Sequence, residues 1–328
     1  MLTSKNILEL VGNTPIVKVN HLDCGPCELF LKLENQNPGG SIKDRIALFM
    51  INAAEKTGQI KPGGTLVEAT SGNTGVALAL VASQMGYKLI LVIPDKTSVE
   101  KIAHVKALGA QVILTRSDIG KGHPDYYHDK AERIAREHGA FYVNQFENPN
   151  NPIAHEQSTG PELWEQMNHH MDAIVCGAGT GGTLTGLARY FNKVQPKLEM
   201  ILADPMGSVY GPYVQNGTLI QSGRWMAEGI GKDFIPKTFD IARVTQSYSI
   251  DDGEGISTAH DVLRYEGIMC GFSSGTLIAA ALRYCRAQTI PKRVVSFVCD
   301  SGYKYLSKIY NRDWLHQHGF SISEKTTV

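Results

Sequence analysis

From residue 60 onward the chain alternates two apolar patterns. Short, nearly continuous apolar runs ("TLVEA", "KLILVIP", "QVILT", "AFYVNQ", "DAIVCGAG" and "LEMILAD") are separated by longer stretches in which apolar residues recur at helical spacing. A strand covered by helices on both faces has no polar side to show, so the first pattern predicts parallel strands. The second predicts helices through "NTGVALALVASQMG", "SVEKIAHVKALG", near 126–138, at roughly 155–169 and from about 182 to 192. Upstream, "PIVKVN" and "ELFLKLE" predict two more strands. Downstream, helices at about 252–266 and 275–288 precede the strand "RVVSFVCD" and a short helix. The segment 205–250 is rich in Gly and Pro and reads as one long irregular stretch, which in a compact chain is usually functional. The polar tail, 321–328, is expected to fray. The pattern is that of an α/β protein without internal repeats, low-complexity segments or a clear linker.

Composition narrows the partners. The chain has 328 residues, enough for two domains or one two-lobed unit, and 42% are hydrophobic. Basic and acidic side chains balance at 32 each, so there is no electrostatic footprint for nucleic acid and a small-molecule ligand is expected. The N-terminal "MLTSKNILELVGNTP" lacks the apolar core of a signal peptide, and no apolar run approaches the length of a membrane span, so neither export nor membrane attachment is expected. Six cysteines in a chain this long do not form a disulfide framework, which points to the cytoplasm. Cys24 and Cys27 have C-x-x-C spacing but lie between two strand-like runs. They read as a turn with incidental thiols, with a redox or metal role as the rival. No histidine has zinc spacing, no metal is expected, and His169-His170 reads as the solvated end of a helix.

Four stretches place glycine, hydroxyl or amide groups where a strand passes into a helix, the end of an α/β sheet at which ligands bind. In "NPGGSIKDR", Pro38, Gly39 and Gly40 stop a strand and Ser41 can cap the next helix, putting Lys43 in its first turn. The positive end of the helix dipole disfavours an ammonium there, which suits a lysine that forms a Schiff base. A solvated lysine pairing with Asp44 or Glu9 is the plainer reading. In Thr70-Ser71-Gly72-Asn73-Thr74-Gly75, backbone N–H groups and side-chain donors suit a carboxylate or phosphate, against an ordinary helix cap. Gly177-Ala178-Gly179-Thr180-Gly181-Gly182-Thr183 forms an anion nest after a strand. It also satisfies G-x-G-x-x-G, with Asp204 at the end of the following strand, which keeps a nicotinamide-dependent (NAD) oxidoreductase open. Cys270-Gly271-Phe272-Ser273-Ser274-Gly275 alone is little more than a serine cap.

Taken together and in this order, "NPGGSIKDR", "TSGNTG", "GAGTGGT" and "GFSSG" resemble the fold-type II pyridoxal-phosphate enzymes, in the branch of the cystathionine β-synthases and cysteine synthases. The resemblance runs from "LVGNTPIVKVN" to Phe320. It implies two lobes, each a mostly parallel twisted sheet covered by helices: about 44–144 as a smaller mobile lobe, and 1–43 plus 145–320 as a larger cofactor-binding lobe. It also implies that Lys43 carries pyridoxal 5'-phosphate covalently and acts as acid and base at the substrate Cα. Asn73 would bond the ring oxygen, Gly179, Thr180, Gly181, Gly182 and Thr183 would hold the phosphate, and Ser273 would face the pyridine nitrogen. Thr70, Ser71, Asn73, Thr74, Gln145 and Gly229 would line the substrate. A serine hydroxyl at the ring nitrogen does not enforce its protonation as an aspartate would, which favours loss of a β-substituent over prolonged carbanion chemistry.

The implied activity is β-replacement on serine or an activated serine by way of an aminoacrylate. "EGIGKDFIP" and "DSGYKYLSKIYNRDWLHQHGF" look like a short cystathionine β-synthase without haem or regulatory domains, acting with homocysteine. "QFENPNNP" and the Phe272-Ser273-Ser274 order look more like a cysteine synthase using sulfide. Lys232 stands where the animal cystathionine β-synthases have a tyrosine. A diaminopropionate synthase is a more distant alternative, and a non-catalytic cofactor-binding sensor is one of another class. The resemblance also implies a homodimer.

Overall fold

The computed structural model describes residues 3–70, 72–95, 97–119 and 123–322. Ser71 and residues 323–328 of the expected frayed tail lie outside these ranges. In chain order, β1 (Ile16–Lys18) and β2 (Glu28–Lys32) precede α1 (Lys43–Lys56). Then come β3 (Thr65–Ala69), α2 (Asn73–Met85), β4 (Lys88–Pro94), α3 (Val99–Ala107), β5 (Gln111–Thr115), α4 (Tyr127–Glu137) and β6 (Phe141–Tyr142). After them run α5 (Asn150–Ala154), a π-helical turn at His155–Thr159, α6 (Gly160–Gln166), β7 (Ala173–Gly177), α7 (Gly182–Val194) and β8 (Glu199–Pro205). The chain continues through α8 (Tyr210–Asn216), β9 (Gln246–Ile250), α9 (Asp252–Glu266), α10 (Phe272–Arg286), β10 (Arg293–Phe297) and α11 (Arg312–Gln317).

The α/β architecture follows the apolar pattern. A six-stranded sheet has the order β1-β2-β10-β7-β8-β9, and a four-stranded sheet the order β5-β4-β3-β6. Among the paired strands of the described residues, only β1–β2 is antiparallel. In β4 every residue after Lys88 is buried, and in α10 burial is continuous from Phe272 to Leu282, so that helix is enclosed on all sides. One core surrounds the larger sheet. The smaller sheet is covered on one face by Ile46, Met50 and Val76 and on the other by Ala131, Ile134 and Ala135.

Three expectations change. The helix read at 155–169 is instead α5, the π turn and α6, with His155 Nδ1 bonded to Thr159 Oγ1 at 2.8 Å across the turn. It stops at Gln166 because Asn168 and His169 take φ values of 50° and 57°, outside the helical region. The segment 205–250 contains α8 and β9. Strand β9 is an edge strand with mixed burial and two serines, so it lacks the continuous apolar run that marked the other strands. Helix α10 begins at Phe272, not near 275, which puts Ser273 and Ser274 inside its first turn behind the N-cap Gly271.

A buried ion network ties α1 to the larger sheet. Arg45 donates to both oxygens of Glu34, each at 2.7 Å, and to Glu162 at 2.8 and 3.0 Å. Lys32 joins Glu162, Gln166 and the Thr14 carbonyl. Burial alone would raise the carboxyl of Glu34, but the charge and hydrogen bonds of Arg45 outweigh it and hold it below the usual range; Glu162 behaves in the same way. Removing one member strands a buried charge, so Glu34→Ala is expected to cost about 3 kcal/mol in urea unfolding. Because the native carboxyls titrate below their unfolded value of 4.5, their contribution is present above that pH and is lost as pH falls through the lower native values. Thermal melts of the wild type between pH 3 and 6 should show this loss, and it should shrink in Glu34→Ala.

Candidate active site

The starts of α1, α2 and α10 meet around Cys299 and Asp300, just past β10, on a cleft shared with the loop after β7. Ile42 N donates to the Cys299 carbonyl at 2.9 Å, and Cys299 N donates to Ser274 Oγ at 2.9 Å. Asp300 Oδ2 accepts from Asn73 Nδ2 and from Tyr305 OH, both at 2.8 Å, and the Asp300 carbonyl accepts from Gly271 N at 3.0 Å. The segments carrying Lys43, Asn73 and Ser273 are thereby joined through two consecutive residues.

Lys43 opens α1 and is half-buried. Its ammonium has no hydrogen-bond or ion-pair partner among the described residues. The plainer pairings are not made: Asp44 accepts from Gly39 N, and Glu9 accepts from Lys5 N at 2.9 Å. Ser41 does not occupy the cap position, which falls to Ile42; its hydroxyl accepts from Lys43 N at 3.3 Å. Fully buried His155 lies near enough to feel this charge. Burial first, then the charges of Lys43 and Arg45, push its pKa well below the ordinary imidazole value, so it is neutral. Burial raises the neighbouring Cys176 thiol to about 12, against the pull of Lys43.

The Gly177–Thr183 loop is shaped by close contacts on its outer side. A Cβ at Gly179 would run into the Gly229 carbonyl, one at Gly181 into Phe239, and one at Gly182 into Asn151. Gly181 also has φ +77°. Tyr210 OH donates to the Gly179 carbonyl at 2.8 Å, Gly231 N to that of Ala178 at 2.8 Å, and Thr238 Oγ1 to that of Thr180 at 2.6 Å. With its carbonyls held from outside, the loop leaves the N–H groups of Gly179, Thr180 and Gly181 without an acceptor among the described residues, which is what an anion nest needs. Thr183 Oγ1 lies 3.1 Å from His155 Nε2. Gly229, at φ +87°, flanks the loop.

A hydrogen-bond chain links this nest to the loop after β3. Asn151 Nδ2 donates to Thr180 Oγ1 (2.9 Å) and to the Gln145 carbonyl (2.8 Å), and Thr74 Oγ1 donates to Gln145 Oε1 (2.6 Å). Below it, Glu68 accepts from Ala69 N and Gln145 N, and burial raises its carboxyl to about 8. Thr70 accepts from Gly72 N at 3.1 Å. The hydroxyl of Ser273 has no partner among the described residues. At the mouth of the cleft, the ammonium of Lys232 sits 4.3 Å from the Phe146 ring centre and 5.5 Å from that of Phe234, and 3.4 Å from Tyr127 OH. His128, packed against Phe146, is held neutral by burial and then by Lys232. Helix α3 leans on the far end of the cleft through Lys101, which meets Glu228 at 2.5 Å and Tyr305 OH at 3.0 Å.

Asp204, the ribose acid of the oxidoreductase reading, is fully buried and accepts from Gly211 N at 2.8 Å, turned into α8 and away from the glycine loop. Cys24 and Cys27 lie in the β1–β2 turn. Cys24 donates to the Leu22 carbonyl, and burial raises its thiol to about 11, which disfavours thiolate chemistry. Reading the sequence did not single out Asn151, His155, Asp300 or Lys304. For Asp300, the end of the strand "RVVSFVCD" was a usable signal; the others look like ordinary helix or loop residues.

A family model for pyridoxal-phosphate dependent enzymes matches residues 7–300. The chain is 39% identical over 319 residues to a cystathionine beta-synthase of Apis mellifera, covering 96% of this chain and 63% of that protein, so it spans less than two-thirds of that relative's length. It is 40% identical over 305 residues to a cysteine synthase of Staphylococcus aureus, covering 92% of this chain and 95% of that one. Among solved structures, a hydrogen sulfide-producing enzyme from Fusobacterium nucleatum superposes with a TM-score of 0.85 at 35% identity, covering 93% of this chain and all of the other.

The nest makes a direct prediction. Gly182→Ala forces a methyl group onto Asn151 and breaks the Thr180–Asn151–Gln145 chain, an overpacking penalty of about 1–3 kcal/mol. Affinity for pyridoxal phosphate, measured by absorbance titration of the apoprotein, should fall by roughly tenfold or more while the fold persists.

Proposed function

The chain belongs to the pyridoxal-phosphate dependent enzyme family, and from that premise we propose that it performs β-replacement on serine or an activated serine, with homocysteine as the thiol and cystathionine as the product. The observation that carries the choice of thiol is Lys232, a cation held over two aromatic rings at the cleft mouth. A thiol that bears its own carboxylate can leave that charge on such a cation while its sulfur reacts, whereas hydrosulfide has only its reacting sulfur to offer. A second reading, O-acetylserine with sulfide, is supported by the 40% identity to a cysteine synthase.

The free donors of the cleft fit the cofactor. The open N–H groups of Gly179, Thr180 and Gly181, together with Gly182 and the hydroxyls of Thr180 and Thr183, would hold its phosphate. Lys43, without a counter-ion, would hold its aldehyde carbon. Asn73 would donate to its ring oxygen, and Ser273 would face the pyridine nitrogen. Bound there, the cofactor supplies an electron sink that loosens the substrate's Cα–H bond and its β-substituent. Thr70, Ser71, Thr74 and Gln145, with Asn73 through its backbone N–H, would bind the substrate carboxylate, with Gly229 closing the cleft beside them. Lys43 Nζ would take the Cα proton. The β-substituent leaves with its bonding electrons, as water after gaining a proton or as acetate. Once the thiol sulfur has bonded to the β-carbon and lost its own proton, Lys43 would return the proton to Cα.

An assay pairing serine or O-acetylserine with homocysteine or sulfide tests the reading. Homocysteine should be the preferred thiol, and equal rates with every pair would remove the preference. Lys232→Met should raise KM for homocysteine about tenfold and leave sulfide use unchanged; equal effects on both would exclude a role in thiol selection. Lys43→Ala should keep the fold and lose at least roughly a thousandfold in kcat. A cofactor absorption band indifferent to every amino acid in the wild type would instead indicate a sensor.

A further inference from the structure

Lys304 lies outside the four loops, at the start of the segment after β10, yet its side chain reaches into the cleft. Its ammonium donates to the Gly39 carbonyl at 2.9 Å, the Gly40 carbonyl at 3.1 Å and Asn73 Oδ1 at 3.0 Å. An ammonium has three N–H donors and no acceptor, so these three oxygens use it completely. Burial lowers its pKa to about 8, against the opposing charges of Asp300 and Asp44, so it carries all three protons at neutral pH. On the other end of the same amide, Asn73 Nδ2 donates to Asp300 Oδ2 at 2.8 Å. A carboxylate only accepts and an ammonium only donates, so Asn73 sits between partners of opposite and fixed polarity. Turning the amide over would set NH₂ against an ammonium and a carbonyl oxygen against a carboxylate, losing both bonds at once.

We propose that Lys304 is a positioning residue: with Asp300 it locks the orientation of the Asn73 amide and ties it to the glycine turn that carries Lys43. Nδ2 has two hydrogens and Asp300 takes one. The lock keeps the second on the side where a donor is needed and excludes an acceptor there. The same ammonium joins the Gly39-Gly40 turn to the start of α2, so the lysine and amide that would meet the cofactor are held by one group. This rests on the reading that Asn73 donates to the ring oxygen of the bound cofactor.

The test is a double-mutant cycle on holoenzyme with Lys304→Met, Asn73→Ala and the pair, each first checked for fold and for pyridoxal-phosphate content. The main readout is the visible absorption of the bound cofactor, whose band ratio depends on protonation of the ring oxygen. Lys304→Met should shift the ratio of long- to short-wavelength bands at least twofold. It should lower kcat about tenfold with little change in the amino-acid KM, and Lys304→Arg should restore most of both. Adding Lys304→Met to Asn73→Ala should shift the band ratio no further, since the amide it orients is gone, while kcat still falls through the freed Gly39-Gly40 turn. Multiplying band shifts in the pair, or an unshifted band in Lys304→Met when Asn73→Ala shifts it, would overturn the inference and leave the cofactor reading intact. An unshifted band in Asn73→Ala would remove the reading of Asn73 and this inference with it. Should Lys304→Met fail to fold, Lys304→Gln, whose uncharged nitrogen lies one bond closer to the backbone and falls short of Asn73 Oδ1, runs the same cycle against the same outcomes.

Discussion

The geometry of the cleft depends on two consecutive residues, Cys299 and Asp300, where β10 leaves the larger sheet. Through their backbone and one carboxylate they bond to Ile42, Ser274, Gly271, Asn73 and Tyr305. These partners belong to three helix starts and to the segment that follows. A strand end is well suited to this task, because β10 is flanked by β2 and β7 and cannot shift without disturbing both ladders. The closeness is also enforced sterically: a Cβ at Gly271 would run into Asp300. The smaller sheet is thus registered on the larger one through side chains of α2 and the backbone before α1, and no sheet pairing crosses the cleft among the described residues.

The anion nest shows a division of labour between two sides of one loop. Its outer side is filled by Asn151, Phe239 and the Gly229 carbonyl, which leaves no room for a side chain at Gly182, Gly181 or Gly179. Hydroxyls of Tyr210 and Thr238 take up carbonyls of that side. The N–H groups are left without an acceptor among the described residues, so an incoming anion displaces no existing bond. Neutral His155 adds no charge of its own. It supports Thr183 from below, and the π turn that carries it departs from regular helix beside α7, where a Cβ at Gly186 would strike the Pro152 carbonyl and His155.

The alternation of strands and helices was legible because strands buried on both faces must be continuously apolar, and here they are. The motif loops were legible because glycines and hydroxyls at the ends of such strands have few other uses. Legibility stopped where an element lacks that signature, as in the serine-bearing edge strand β9 or the short α8 among Gly and Pro. It also stopped where a residue's part is set by a distant partner. Asn73 and Asp300 are 227 positions apart, and Lys304 is 265 from Gly39. Periodicity and capping rules operate within a few turns, so nothing local distinguishes Lys304 from a solvated lysine. Asn151 and His155 are hidden for a similar reason: each becomes informative only when the glycine loop is laid against it.

The contrast among the cations of this cleft argues for what Lys43 does. Arg45 and Lys32 are matched by Glu34 and Glu162, Lys101 by Glu228, and Lys304 by three oxygens with Asp300 nearby. Each has the partners that make a charge tolerable away from bulk water. Lys43 alone in this group has none among the described residues. Its neighbours cannot become counter-ions: burial raises the Cys176 and Cys299 thiols and keeps His155 neutral. The start of α1 adds the positive end of a helix dipole. A carbonyl compound brought to it with its own anionic group, received by the open N–H groups of the Gly179–Thr183 loop, answers both deficits at once: it supplies the missing negative charge and a bond for the amine to form. The same absence of a partner that would be a defect in a structural lysine is what leaves this one free to react.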